Sequence, residues 1–331
     1  MKSKKSKDIS RRKFINLGVQ GYTGLQIAQG LPPALLAATS CSTANSVTTV
    51  HGVCYHDCPD SCSWEVTLEN GTIKHFGADK ENPFTAGKLC QKMETFPQDI
   101  TFHPDRVLTP LKRSGKKGEG KLEEISWEQA LEEVADRLQS VVTEYGGESV
   151  LPFGYMGTQG ILQKGAMSNR FFTKLGASQL AETICGAAAI TGNLVVNGQS
   201  TGILPEDVVY SRYIVLWGTN TKHSNVHLWP YVLKARQNGA KIIVIDPFKS
   251  ATAKEADWHI QPLPGTDVAL ALGMMHVLMA EDLCDQNYID QYTVGFEELQ
   301  KHVQQYDPAT VAEICDLEEA DIVKFAREYA N

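Results

Sequence analysis

Four cysteines constrain this chain more than any other feature. From Val53 to Lys92 it reads VCYHDCPDSCSWEVTLENGTIKHFGADKENPFTAGKLCQK, with three residues between Cys54 and Cys58, three between Cys58 and Cys62, and 27 before Cys90. Pro59, an alternating strand Ser63 to Leu68, an Asn70-Gly71 turn and a second strand Ile73 to Phe76 predict a small hairpin domain that returns Cys90 to the first three. Soft thiolates select zinc or iron-sulfur clusters. Paired Cys-x-x-Cys knuckles, the usual zinc spacing, are absent, so the spacing favours a 4Fe-4S cluster over zinc or disulfides. Eight cysteines in 331 residues are too few for a disulfide scaffold. His56, between two of the ligands, reads as a surface or supporting residue.

The length suits about two domains, and 42% apolar residues can fill their cores. No stretch approaches the roughly 18 uninterrupted apolar residues of a membrane-spanning helix. Charge is asymmetric. Residues 1–46 hold seven Lys or Arg against Asp8 alone, whereas the remainder has 24 basic and 38 acidic residues. That acidic body argues against nucleic acid as a partner. The basic start precedes a weakly apolar stretch, Ile15 to Ala38, and a small-residue exit, AATSCSTA. Ser10-Arg11-Arg12-Lys13-Phe14 resembles a twin-arginine export signal, and the alternative is a basic disordered tail. The export reading makes 1–46 signal and linker and places the protein in the periplasm or on the outer face of the cytoplasmic membrane. Cleavage after Ala44 and lipidation of Cys41 are both conceivable ends, with Ala38 standing where lipidation signals place Leu.

Beyond the cysteines, Leu111 to Lys121 reads as a Lys/Gly-rich connection. Ser126-Trp127-Glu128-Gln129 is a capping box opening a helix, with Ala130, Leu131, Val134, Leu138 and Val142 on one face and Gly146-Gly147 at its end. Ser149 to Phe153 reads as a strand leading into the glycine-rich loop GYMGTQG at 154–160, and Met167 to Leu175 as a helix. Tyr213 to Trp217 predicts a buried strand, His227 to Gln237 a helix and Lys241 to Ile245 another strand, which makes a βαβ unit of a parallel sheet. Ligands of such sheets sit beyond the carboxyl ends of the strands, where Gly218-Thr219-Asn220 and Asp246-Pro247 fall. Gly265-Thr266-Asp267 opens a helix through Met279, either as an ordinary cap or as a phosphate-receiving turn. A final helix runs from Ala320 to Ala330.

Together the four cysteines, the Cys90-Gln91-Lys92 step, RYIVLWGTN, AKIIVIDP and QPLPGTDVALALGMMHVL resemble the molybdopterin oxidoreductases of the dimethyl-sulfoxide-reductase family, from about residue 50 onward. The resemblance implies an α/β chain: a small β-rich 4Fe-4S domain over 47–105, a first α/β domain over 106–178, incomplete here, and a Rossmann-like parallel-sheet αβα domain over 179–331. Further implications concern the cofactors. Cys54, Cys58, Cys62 and Cys90 would hold the 4Fe-4S cluster, and Lys92 would lie between the cluster and one pterin. Molybdenum or tungsten would be chelated by two molybdopterin guanine dinucleotides, one of them held by Gly218, Asn220, Asp246, Gly265, Thr266 and Asp267. Cys185, in LAETICGAAAITGN, stands where the family's metal takes its protein ligand, whereas a Cys in so apolar a run would otherwise read as a packed core thiol. Cys284 and Cys315 keep that core reading. Relatives acting on formate place His directly after the ligand. Gly186 and Ala187 here argue against formate.

The function so implied is that of the catalytic subunit of an exported oxidoreductase in anaerobic respiration. Two-electron chemistry on a small-molecule substrate would be served by an iron-sulfur electron-transfer subunit and a membrane-anchor subunit. The alternative from another class is a non-redox hydratase, or a pterin-binding module, on the same scaffold. Members of the resembled family are considerably longer, so the chain is expected either to be an N-terminal portion, lacking the domain that closes over the second dinucleotide, or to have the rest supplied by a second chain.

Overall fold

The computed structural model describes residues 46–56, 58–154 and 165–331. The twin-arginine segment with Cys41, and Tyr155 to Gly160 of the glycine-rich loop, lie outside the described residues. Chain contacts define two compact units, one of Met1–Thr48 with Leu68–Ile73 and the other of Thr49–Thr67 with Lys74–Asn331. In the described part of the first unit, the Asn70 N–H donates to the Ser46 carbonyl at 3.0 Å and the Ser46 N–H to Asn70 Oδ1 at 3.2 Å.

The amino-terminal sheet runs in the order β1 (Val47–Val53), β2 (Ser63–Glu69), β3 (Thr72–Ala78). Asn70 and Gly71 adopt φ of 52° and 77°, the two positive values of the tight hairpin turn expected from the dipeptide. Trp64 and Phe76 tilt against each other at 5.8 Å, and a Cβ on Gly52 would run into the Trp64 indole. Only glycine fits beneath that ring. After β3 the chain is folded back by side-chain bonds: the Asn82 carbonyl oxygen accepts the N–H of Phe84 at 3.1 Å and of Thr85 at 3.0 Å, and its amide reaches Ser63 at 2.9 Å. These bonds carry the chain to Cys90 and the short helix α1 (Gln91–Glu94). Cys62, Leu89 and Met93 form a small core joined by Cys54, Trp64, Phe76 and Cys90.

Leu111 to Lys121 departs from the expected connection. It opens an antiparallel hairpin, β4 (Leu111–Arg113) with β5 (Leu122–Glu124), in register Lys112 opposite Glu123. Gly118 and Gly120, at φ of 94° and 69°, supply the backbone values its loop requires. Helix α2 (Trp127–Tyr145) carries the expected capping box, with Gln129 N–H to Ser126 Oγ at 3.1 Å and the Ser126 N–H to Gln129 Oε1 at 3.0 Å. Its apolar face is only partly covered, with Ala130, Leu138 and Val142 half-buried and Leu131 and Val134 exposed. The strand expected over Ser149 to Phe153 is not formed. A 3-10 turn occupies Gly147–Ser149, and Val150 accepts a backbone bond from Ser178 rather than joining a ladder. Without a neighbouring strand an apolar run has no sheet to enter. Helices α3 (Met167–Leu175) and α4 (Gly186–Asn197) follow.

The parallel sheet has the order β6 (Tyr213–Trp217), β7 (Lys241–Ile245), β8 (Trp258–Ile260). Helix α5 (Thr221–Ser224) and helix α6 (Trp229–Gln237, with a proline in its first turn) cross from β6 to β7. Strand β7 is central and buried on both faces. Ile242 and Val244 pack with Trp229, Val232 and Ala235 of α6, whereas Ile243 and Ile245 face Leu270, Val277, Val311 and Phe325. The second layer consists of α7 (Asp267–Ala280), α10 (Pro308–Cys315) and α11 (Glu319–Ala330), with α8 (Gln286–Tyr292) and α9 (Phe296–Val303) between them in sequence. A Cβ on Gly273 of α7 would stand 2.9 Å from Val311, so glycine permits the close approach of α7 to α10. Phe325 meets Trp217 and Trp258 edge-on, each at 6.4 Å, and its removal would cost about 3–5 kcal/mol. Cys315 is fully buried, as expected of a core thiol, but Cys284 sits in a bend before α8 and is only half-buried. The α/β expectation holds: a small sheet precedes an αβα layer arrangement.

Candidate functional site

The local fold gathers the four cysteines. Cys54 leaves β1 and donates its backbone N–H to the Cys62 carbonyl at 2.8 Å, closing the loop that carries Cys58. Ser61 turns that loop with φ of 50°, and Cys62 enters β2 nearly buried. Cys90 caps α1 and accepts the Met93 N–H at 2.8 Å. Burial pushes the Cys62 thiol up to about 12, with Asp60, Cys54, Cys58 and Cys90 adding to it in that order. Burial also raises the Cys58 thiol, which feels Asp60, Cys90 and Cys54 in turn. The raised thiols of Cys58 and Cys62, with the buried Asp60 beside them, need a bound cationic centre to become thiolates. An iron-sulfur cluster fits this donor set.

Sequence reasoning passed over the residues behind Cys62. Asp60 and His227 are almost completely buried. His227 Nδ1 lies 2.8 Å from Asp60 Oδ2, and the same oxygen accepts the His227 backbone N–H at 3.1 Å. Nδ1 also lies 3.6 Å from Cys62 Sγ. Asp60 Oδ1 is buried without a partner among the described residues. Phe84 sets its ring edge-on to His227 at 6.3 Å and stacks on Tyr231, whose hydroxyl donates to the Phe84 carbonyl at 3.0 Å. No local pattern pairs residues 167 positions apart, although both lie within segments already singled out.

Lys92 is exposed on α1, two residues after Cys90. The other expected site residues gather where the parallel strands end. The Gly218 N–H donates to the Ile245 carbonyl at 2.8 Å; with φ of 63° and open space where a Cβ would stand, Gly218 leaves room for close approach. Gly265, at φ of 84°, is equally open. Asp246 Oδ1 accepts the Phe248 N–H at 2.8 Å, and its second oxygen has no partner among the described residues. The Asn220 carbonyl oxygen accepts from Thr252 Oγ1 at 2.8 Å, leaving its amide hydrogens for another acceptor. Thr266 caps α7 without a side-chain bond to the helix, because its hydroxyl donates back to Leu263 at 2.7 Å. Asp267 Oδ1 receives the Trp217 indole N–H at 2.7 Å, which makes it a brace between β6 and α7. Backbone N–H groups at an uncapped first turn and an unspent carboxylate oxygen suit a pyrophosphate and a purine edge respectively.

Cys185 precedes α4 and is exposed, as is Ile184 at 84%. Exposure removes the core-thiol reading for Cys185. Among the described residues it makes no bond to the cysteine pocket or the strand ends, so the structure does not itself bring it to either.

Comparison with known proteins gives a consistent result. Residues 47–100 match the molybdopterin oxidoreductase Fe4S4 domain, and residues 106–317 match the molybdopterin oxidoreductase family. The probable oxidoreductase YoaE of Bacillus subtilis is 42% identical over 84% of this chain and 41% of its own length. Dimethyl sulfoxide reductase DmsA of Escherichia coli is 30% identical over 88% of this chain and 38% of its own. Among solved structures, acetylene hydratase from Pelobacter acetylenicus superposes with a TM-score of 0.64 at 33% identity, covering 83% of this chain and 38% of that one. The chain thus spans about two fifths of the length of the relatives it matches.

Proposed function

The chain belongs to the molybdopterin oxidoreductases of the dimethyl-sulfoxide-reductase family, whose members carry a 4Fe-4S cluster and a molybdenum bis-molybdopterin guanine dinucleotide, and from that premise we propose that it serves as the catalytic subunit of an exported respiratory oxidoreductase. When bound, the molybdenum cofactor supplies two-electron redox chemistry and the cluster one-electron transfer. The observation that carries the reading is the small core of Cys62 with Cys54 and Cys90 packed against it, with Cys58 close enough to act electrostatically on Cys62 and the exposed Lys92 two residues after Cys90. In this reading the four cysteines would hold the cluster, and Lys92 would carry its charge next to it. Asp246 accepts from the guanine edge. Gly218 and Gly265 would leave room for the nucleotide, Asn220 would donate to it, and the backbone N–H groups of the first turn of α7, from Thr266, would receive its phosphates. Asp267 positions that turn through Trp217. Cys185, exposed before α4, would supply the protein's thiolate to molybdenum.

Twin-arginine export would deliver the folded, cofactor-loaded chain to the periplasmic side, where an iron-sulfur subunit and a membrane anchor would complete the electron path. A hydratase reading is favoured by one finding, the likeness to acetylene hydratase. The test is turnover by anaerobically purified holoprotein. Reduction of sulfur, S-oxide or N-oxide substrates with consumption of a reduced dye supports the proposal, whereas hydration of an alkyne with no net electron transfer supports the second reading.

A further inference from the structure

Behind Cys62 lies a polar arrangement that nucleotide binding does not use. Asp60 and His227 are buried, yet among the described residues Asp60 Oδ1 has no partner. A buried carboxylate with one oxygen unpartnered among the described residues, close to Cys62, is costly to folding. Asp60 Oδ2 already accepts the His227 backbone N–H, and the donor that suits the same oxygen from the ring is Nδ1–H. The backbone N–H of His227 reaches the same Oδ2 at 3.1 Å, which clamps the imidazole at two points. Held in this way, Nδ1 lies 3.6 Å from Cys62 Sγ, a fitting distance for an N–H shared with the larger sulfur atom.

We propose that His227 is a positioning residue that donates Nδ1–H toward the sulfur of Cys62 and, together with the buried charge of Asp60, sets the reduction potential of the cluster. This inference rests on the reading of the four cysteines as cluster ligands. An N–H aimed at a ligand sulfur stabilises the electron-rich reduced cluster and raises its potential. A fixed negative charge in a dry site does the opposite. The two residues act against each other, and the balance is held by a single oxygen, Asp60 Oδ2. A tie that served only to join the small sheet to the β6 end of the parallel sheet would hold the fold without moving the potential.

The experiment is a redox titration of the anaerobic holoprotein, followed by electron paramagnetic resonance and iron analysis. His227→Leu removes the donor and should lower the midpoint potential. His227→Asn keeps an N–H near the position of Nδ1 and should restore most of the loss, and Asp60→Asn should raise the potential. Shifts of opposite sign with iron content unchanged sustain the inference. Unchanged potentials, or shifts of the same sign, overturn it. Where His227→Leu loses its cluster, Asp60→Asn decides: an upward shift supports the proposal and none refutes it. Wild-type protein without iron would instead bring down the underlying assignment of the cysteines, and with it this inference, so iron content tells the two failures apart.

Discussion

The Trp217 indole N–H lies 2.7 Å from Asp267 Oδ1, joining the last residue of β6 to the first residue of α7. Two segments of the candidate nucleotide shelf, 50 residues apart, are therefore held in one geometry by one bond. Trp217→Phe keeps the ring near Phe325 and deletes the donor. We expect a loss of about 1 kcal/mol in denaturant unfolding. Guanine nucleotide should also be released faster from the loaded protein. Normal retention would mean that the brace is incidental to binding.

Cys185 is exposed, so its replacement should scarcely affect folding. Cys185→Ser in the loaded protein should leave stability within about 0.5 kcal/mol and cluster content unchanged. The hydroxyl is a harder donor than a thiolate, so the paramagnetic signal of the molybdenum should change and turnover should fall or be redirected. An unchanged signal with full turnover would remove Cys185 from the metal.

Acid should loosen the link between the end of α7 and α11. Arg327 donates to both carboxylate oxygens of Glu281 at 2.7 and 2.8 Å, and this pairing holds the Glu281 carboxyl below its ordinary value. A folded-state value below the unfolded one contributes stability that is present above the unfolded value and lost as pH falls through the folded one. Unfolding followed from neutral pH into the acid range should therefore show a decline that is shallower in Glu281→Gln, where only other lowered carboxyls such as Asp307 and Glu328 remain. Parallel curves for the two proteins would contradict the pairing.

Much of this was legible in local sequence, because the relevant physics is local. Asn70-Gly71 specifies its turn through two positive φ values, Ser126 and Gln129 cap their helix reciprocally, and Tyr213 to Trp217 and Lys241 to Ile245 read as buried strands from apolar runs alone. Where pairing depends on distant chain, the sequence misleads. Ser149 to Phe153 has strand composition but no ladder, whereas the short β8 emerges because β7 offers an edge. The strand-end residues were located by fold logic, but the spent oxygens of Asn220 and Asp267 could be seen only with Thr252 and Trp217 in place. Asp60 and His227 carry no mutual signal in the chain, and their relation to Cys62 emerges only from the fold.

Export makes a separate expectation. Arg11→Lys combined with Arg12→Lys should leave the loaded protein inside the cell, since the receptor for folded cargo reads the arginine pair. Fractionation followed by cofactor analysis checks this, and undiminished export of the double variant would reject the signal.

The central claim concerns Cys54, Cys58, Cys62 and Cys90, and its most direct test is iron and acid-labile sulfide analysis of anaerobically purified protein beside its Cys58→Ser variant. Cys58 is an exposed member of the set, so the substitution disturbs little of the packed core. The account predicts about four iron and four sulfide per chain in the wild type, with brown absorbance, and loss of both in the variant together with destabilisation of the small sheet. Stoichiometric zinc in a colourless wild-type protein would contradict it.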